Sequence, residues 1–93
     1  IITAAHCLVH REASRVQVLS KLHDLRDFQG DRLDIHQWLI HPDYHPNNSR
    51  HVNDIALIRL RQSLDPDIQP CCLPSKGSSN YPKPKSIAIV SGW

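Results

Sequence analysis

"IALIRL", Ile55 to Leu60, follows "HVND", residues 51–54, and is the stretch on which the fold turns. The run is short, rich in β-branched and aliphatic side chains, and starts directly after two turn formers, Asn53 and Asp54. Its length suits a buried strand, whereas a helix needs a longer 3.6-residue pattern. Working outward, "LDIHQWLI" (Leu33 to Ile40) begins by alternating apolar and polar residues, as does "RVQVLS" (Arg15 to Ser20). Successive strand residues face opposite sides, so period-two alternation marks a half-buried strand. "HPDYHPNN", residues 41–48, lies between two of these runs and reads as a loop. Gln69 to Lys85, rich in Pro, Ser and Gly, reads as an extended connector, and Ile87 to Val90 as one more strand. Gly and Pro interrupt every candidate helix. Short strands separated by turn signals predict an all-β chain, a sandwich or a barrel.

Composition narrows the setting. At 93 residues the chain is one small domain or part of one, and its 40% hydrophobic content is ordinary for a globular chain. No run approaches the ~18 apolar residues of a membrane-spanning helix. The net charge of +2 arises from interspersed acids and bases, and aromatics are few, which argues against a nucleic acid partner. The chain opens inside an apolar stretch (Ile1, Ile2), shows no leader and stops on Gly92 and Trp93, so an internal piece of a longer protein is expected. The cysteines are Cys7, Cys71 and Cys72. Adjacent cysteines rarely bond each other, so at least one is expected to have a partner outside the chain. Asn47-Asn48-Ser49 is a glycosylation sequon with Asn47 as acceptor. Sequon and cysteines together favour an oxidising, secreted setting.

Two residues are candidates for chemistry. His6, in "TAAHC", is an imidazole among small residues; taken alone, it reads as structural. Asp54, at the mouth of an apolar strand, is costly to bury unless hydrogen-bonded; taken alone, Asn53-Asp54 reads as a turn.

Order and company change both readings. "TAAHC", "NDIALIRL", "PCCLP" and "IVSGW" occur in that sequence, and together they resemble the chymotrypsin-like (trypsin-like, S1) serine proteases over nearly the whole chain. The resemblance implies two antiparallel Greek-key β-barrels with the active site between them. Residues 1–93 then form most of the first barrel, and the first strands and the second barrel lie outside the chain. It implies a serine endopeptidase acting on protein or peptide substrates, with His6 as general base and Asp54 orienting it. A serine hydroxyl is a weak nucleophile near neutral pH, and imidazole can take its proton as it attacks. A carboxylate on the other ring nitrogen fixes the tautomer and stabilises the imidazolium.

The same resemblance pairs Cys7 with a cysteine on an upstream strand, and makes Cys72 the tether to a propeptide or light chain. Cys71 departs from the family, where that position is usually aliphatic, and leaves open which of the two makes the tether. Gly92 and Trp93 match the segment leading into the second barrel. By the same resemblance His51 is a candidate border of the pocket for the residue preceding the cleaved one; the alternative is a solvated loop residue. The chain has no Gly-Asp-Ser-Gly-Gly motif, which carries the family's nucleophile, so these residues alone are expected to be inactive. A non-catalytic homologue acting as a binding or regulatory protein is the alternative.

No cofactor and no metal are expected. Leu22 stands where some family members place a calcium-binding acid, and leucine offers no oxygen to a hard cation. His41 and His45 invite zinc, but prolines break the helix that would align them.

Overall fold

The computed structural model describes residues 1–26, 29–47, 50, 52–77 and 82–92. His51 and Trp93, singled out above, lie outside these residues, as do Asn48 and Ser49 of the sequon. The chain divides into two compact units, Ile1–Ser63 and Leu64–Trp93.

Among the described residues the first unit holds five strands: β1 (Ile2–Thr3), β2 (Val18–Ser20), β3 (Asp31–Leu33), β4 (Ile35–Ile40) and β5 (Ala56–Leu60). Single 3₁₀ turns cover Ala5–Cys7 and Ala13–Arg15. All strand pairs are antiparallel, as the all-β reading requires. β5 is the central strand of a three-stranded sheet ordered β1-β5-β4. Ile2 sits opposite Leu57 and Thr3 opposite Ala56 on one side; Leu39 faces Leu57 and Trp38 faces Ile58 on the other. β2 and β3 form a separate two-stranded sheet, with Val18 opposite Leu33. Gly30 lets that hairpin close, because a Cβ there would lie 2.8 Å from the Ser20 carbonyl oxygen.

The short apolar run "IALIRL" sorts its residues as a pleated strand must. Ala56 and Ile58 are buried, while Leu57 and Arg59 are exposed. Ala56 and Ile58 join Ala5, Leu8 and Tyr44 in the core, with Val9, Val16, Val18, Ile35, Trp38, Ile40 and Leu60 packed around them. Ala5 and Ala56 are 0% and 2% exposed. Their small side chains allow the 3₁₀ turn and the sheet into one core.

Three expectations are modified. The Leu33–Ile40 run is divided between β3 and β4, with Asp34 outside both strands. Of Arg15–Ser20 only Val18–Ser20 is strand, because Arg15 closes the second 3₁₀ turn. Ile87 to Val90 is not a strand: Ile87, Ile89 and Val90 are 96%, 93% and 95% exposed. A strand exists only with a partner for its backbone groups, and no described residue pairs with this segment.

No helix among the described residues is long and apolar enough to cross a membrane. The buried core is thin. No large side chain among the described residues is fully buried, and Ile1, Ile2, Leu39 and Leu57 are each about half exposed or more. Burial on this scale leaves little to offset chain entropy. Expressed alone, the 93-residue chain is therefore expected to lose structure gradually on heating and to bind a hydrophobic dye. A sharp two-state calorimetric transition contradicts this.

Candidate active site

The "TAAHC" backbone runs extended through Ala4 and then tightens into the turn at Ala5–Cys7. Leu8 N–H donates to the Ala5 carbonyl at 3.0 Å, and Cys7 N–H to the Ala4 carbonyl at 3.3 Å. In a 3₁₀ turn residues three apart lie on one face. Ala5 and Leu8 therefore both point into the core, and His6 between them points out. The alanines at 4 and 5 suit this arrangement: Ala5 packs flush, and neither offers a competing polar group.

Asp54 arrives from the other end of the unit. The preceding Asn53 has φ of +59°, a left-handed conformation that asparagine tolerates better than most residues. Asn53 Nδ2 donates to the Asp43 carbonyl at 3.2 Å, and Ile55 N–H donates to the Asn53 carbonyl at 2.7 Å. The tight bend so made places the Asp54 carboxylate over the His6 turn.

The two residues, 48 positions apart, meet twice. His6 backbone N–H donates to Asp54 Oδ1 at 2.8 Å, and His6 Nδ1 lies 2.6 Å from Asp54 Oδ2. An ionised carboxylate can only accept, so this contact puts the ring proton on Nδ1. The His6 side chain is 60% exposed and that of Asp54 19%. The hydrogen bond from the His6 ring, reinforced by the one from its backbone, holds the Asp54 carboxyl below the usual aspartate range, against the opposing pull of burial. Tyr44, buried beneath, has its phenol pushed up by burial first and by the Asp54 charge second. Cys7 Sγ lies 3.5 Å from His6 Nε2. An open cavity of about 470 Å³ borders the pair, lined by His6, Val9, His10, Tyr44, Pro46, Asn47 and Asp54.

The remaining sequence candidates are scattered. Asn47 is exposed on the cavity rim. Cys71 and Cys72 belong to the second unit, and both, like Cys7, are exposed thiols. No group of three or more metal-binding side chains occurs among the described residues. Near Leu22 the carboxylates have cationic partners: Asp24 takes the Arg26 guanidinium at 2.6 Å, and Asp31 takes Lys21 at 3.4 Å. Asp43 N–H donates to His41 Nδ1 at 3.1 Å, so that ring serves its own turn.

Sequence reasoning missed two contributors. Tyr44 was hidden in a polar loop, and only its aromatic ring hinted at burial. Asn53 counted as a generic turn former, although an asparagine directly before a candidate acid was a usable signal.

Vitamin K-dependent protein C of Rattus norvegicus is 39% identical over the whole chain, which spans 20% of that protein. Coagulation factor XII of Sus scrofa is 31% identical over the whole chain, which spans 16% of it. Serine protease 7 of Drosophila melanogaster is 30% identical over the whole chain, which spans 28% of it. The chain thus corresponds to under a third of each of these relatives. No solved structure matches the chain. The family model Trypsin matches residues 1–93 in full. A match over every residue, with an antiparallel sheet of partial-barrel form, places this chain in the trypsin family of serine proteases.

Proposed function

We propose that residues 1–93 form most of the first barrel of a secreted serine endopeptidase, and that His6 and Asp54 are its general base and the acid that orients it. The observation that carries this reading is the 2.6 Å contact between His6 Nδ1 and Asp54 Oδ2. With the proton on Nδ1, Nε2 is the unprotonated nitrogen that can accept one from a serine hydroxyl. Attack by that hydroxyl on a peptide carbonyl gives an acyl-enzyme, and the imidazolium returns its proton to the leaving amine. Asp54 stabilises the imidazolium in between. Its second hydrogen bond, from the His6 backbone, holds the carboxylate in line and adds to the electrostatic preorganisation.

The serine and its oxyanion hole belong, on this reading, to a second barrel C-terminal to Trp93. Exposed Cys7 would bond an upstream strand of the first barrel, and Cys72 or Cys71 would tether a propeptide or light chain. Ile87 to Val90, fully exposed here, would be strand in the complete protein, where partners exist.

The complete sequence tests the reading. A Gly-Asp-Ser-Gly-Gly stretch is expected downstream of residue 93. Glycine or alanine at the serine position would make the protein a non-catalytic homologue that binds or regulates, and would end the enzyme assignment.

A further inference from the structure

We propose that Asn47 carries an N-linked glycan that stands at the mouth of the His6–Asp54 cavity and restricts which protein substrates reach it. The restriction rests on the proteolytic reading above; the modification does not.

Two independent observations meet at this residue. Asn47-Asn48-Ser49 satisfies the acceptor sequon, with no proline at the middle position. Asn47 is exposed, and it lines the same cavity of about 470 Å³ as His6 and Asp54. It follows Pro46, which fixes the local backbone, and among the described residues no hydrogen bond occupies its side-chain amide. The loop that carries it is anchored at its base. Tyr44 is 8% exposed in the core, and its N–H donates to the His41 carbonyl at 3.0 Å. A glycan on Asn47 would therefore stem from a residue three positions after the core-anchored Tyr44.

The covalent step needs one co-reactant, a lipid-linked oligosaccharide diphosphate. A bond forms between the sugar C1 and Asn47 Nδ2, the C1–oxygen bond to phosphate breaks, the lipid diphosphate leaves, and the amide gives up one proton. The product is bulky and strongly hydrated. Beside an open cavity it excludes by volume. A short extended peptide passes it, whereas a folded protein presenting the same bond on a broad surface collides with it. The substrate class so favoured is flexible peptide segments and unstructured loops.

The complete protein, secreted from a host that glycosylates, gives the test. Peptide mapping before and after peptide:N-glycosidase is expected to show a glycan mass on the Asn47 peptide and conversion of Asn47 to Asp. Ser49→Ala removes the sequon while leaving Asn47 itself in place. This variant is expected to cleave a short chromogenic peptide at the unmodified rate and a folded protein substrate several-fold faster. Enzymatic deglycosylation of the native protein gives the same comparison should Ser49→Ala fail to fold. An Asn47 peptide of unmodified mass overturns the proposal outright. A glycan whose removal leaves the peptide-to-protein rate ratio unchanged overturns the restriction. If neither form cleaves either substrate, the proteolytic reading falls and the restriction with it, while the mass readout still decides the modification.

Discussion

Asp54→Asn is expected to lower kcat of the proposed complete protease about 10⁴-fold, the loss measured for this exchange in chymotrypsin-like enzymes themselves, with fold and KM nearly intact. The cause is the direction of one hydrogen bond. Asp54 Oδ2 sits 2.6 Å from His6 Nδ1 and accepts its proton. Asparagine keeps one oxygen, which still accepts the His6 backbone N–H now bonded to Oδ1 at 2.8 Å, so the turn survives. Its other terminal atom is a donor. Nδ1 must then accept, the ring proton moves to Nε2, and the base presents a proton to the serine that should lose one. Steady-state kinetics on the purified variant check this, and a loss of less than tenfold contradicts it.

The same exchange has a signature in stability. The Asp54 carboxyl is held below the usual aspartate range, chiefly by the His6 ring. A carboxyl depressed in the folded state stabilises the fold above its unfolded value near ~3.9 and loses that contribution as pH falls through the lower folded value. The difference in urea midpoint between the complete wild-type protein and Asp54→Asn is therefore expected to be full at neutral pH. It should close in acid below about pH 4. A gap that widens on acidification contradicts the assignment.

His6→Ala removes the base itself, and a loss on the order of 10⁶ in kcat is expected, the scale seen when subtilisin, a convergent enzyme, loses its histidine. The fold should tolerate the change, because the His6 side chain is 60% exposed while Ala5 and Leu8 on either side supply the packing. The more informative variant is the double exchange. Asp54 is proposed to act only through His6, so Asp54→Asn added to His6→Ala should cost almost nothing further. Multiplying losses in the double variant would mean that Asp54 works by a route independent of the imidazole.

What the sequence disclosed follows from the range of the forces involved. β5 was legible because a short β-branched, apolar run directly after two turn formers suits a strand and is too short for a helix. β1 was not, because two residues carry no period and Ile2–Thr3 is a strand only through its pairing with β5. Ile87 to Val90 has strand composition but lacks a described partner, and composition cannot supply one. His6 and Asp54 stood out only through motif order; nothing local to either predicts a 2.6 Å approach across 48 positions. The grip of Asp54 on the His6 backbone, and the left-handed Asn53 that aims it, are tertiary facts. Tyr44 shows the same limit, since a loop residue becomes core only when the sheet beneath it forms.

The most direct measurement is covalent labelling of the complete protein with a fluorophosphonate probe, which phosphonylates a serine, with loss of fluoride, only when a neighbouring base withdraws the hydroxyl proton. The account predicts one labelled serine, C-terminal to residue 93, in the wild type and none in His6→Ala. Equal labelling of both proteins, or a folded wild type that takes up no probe, would contradict it.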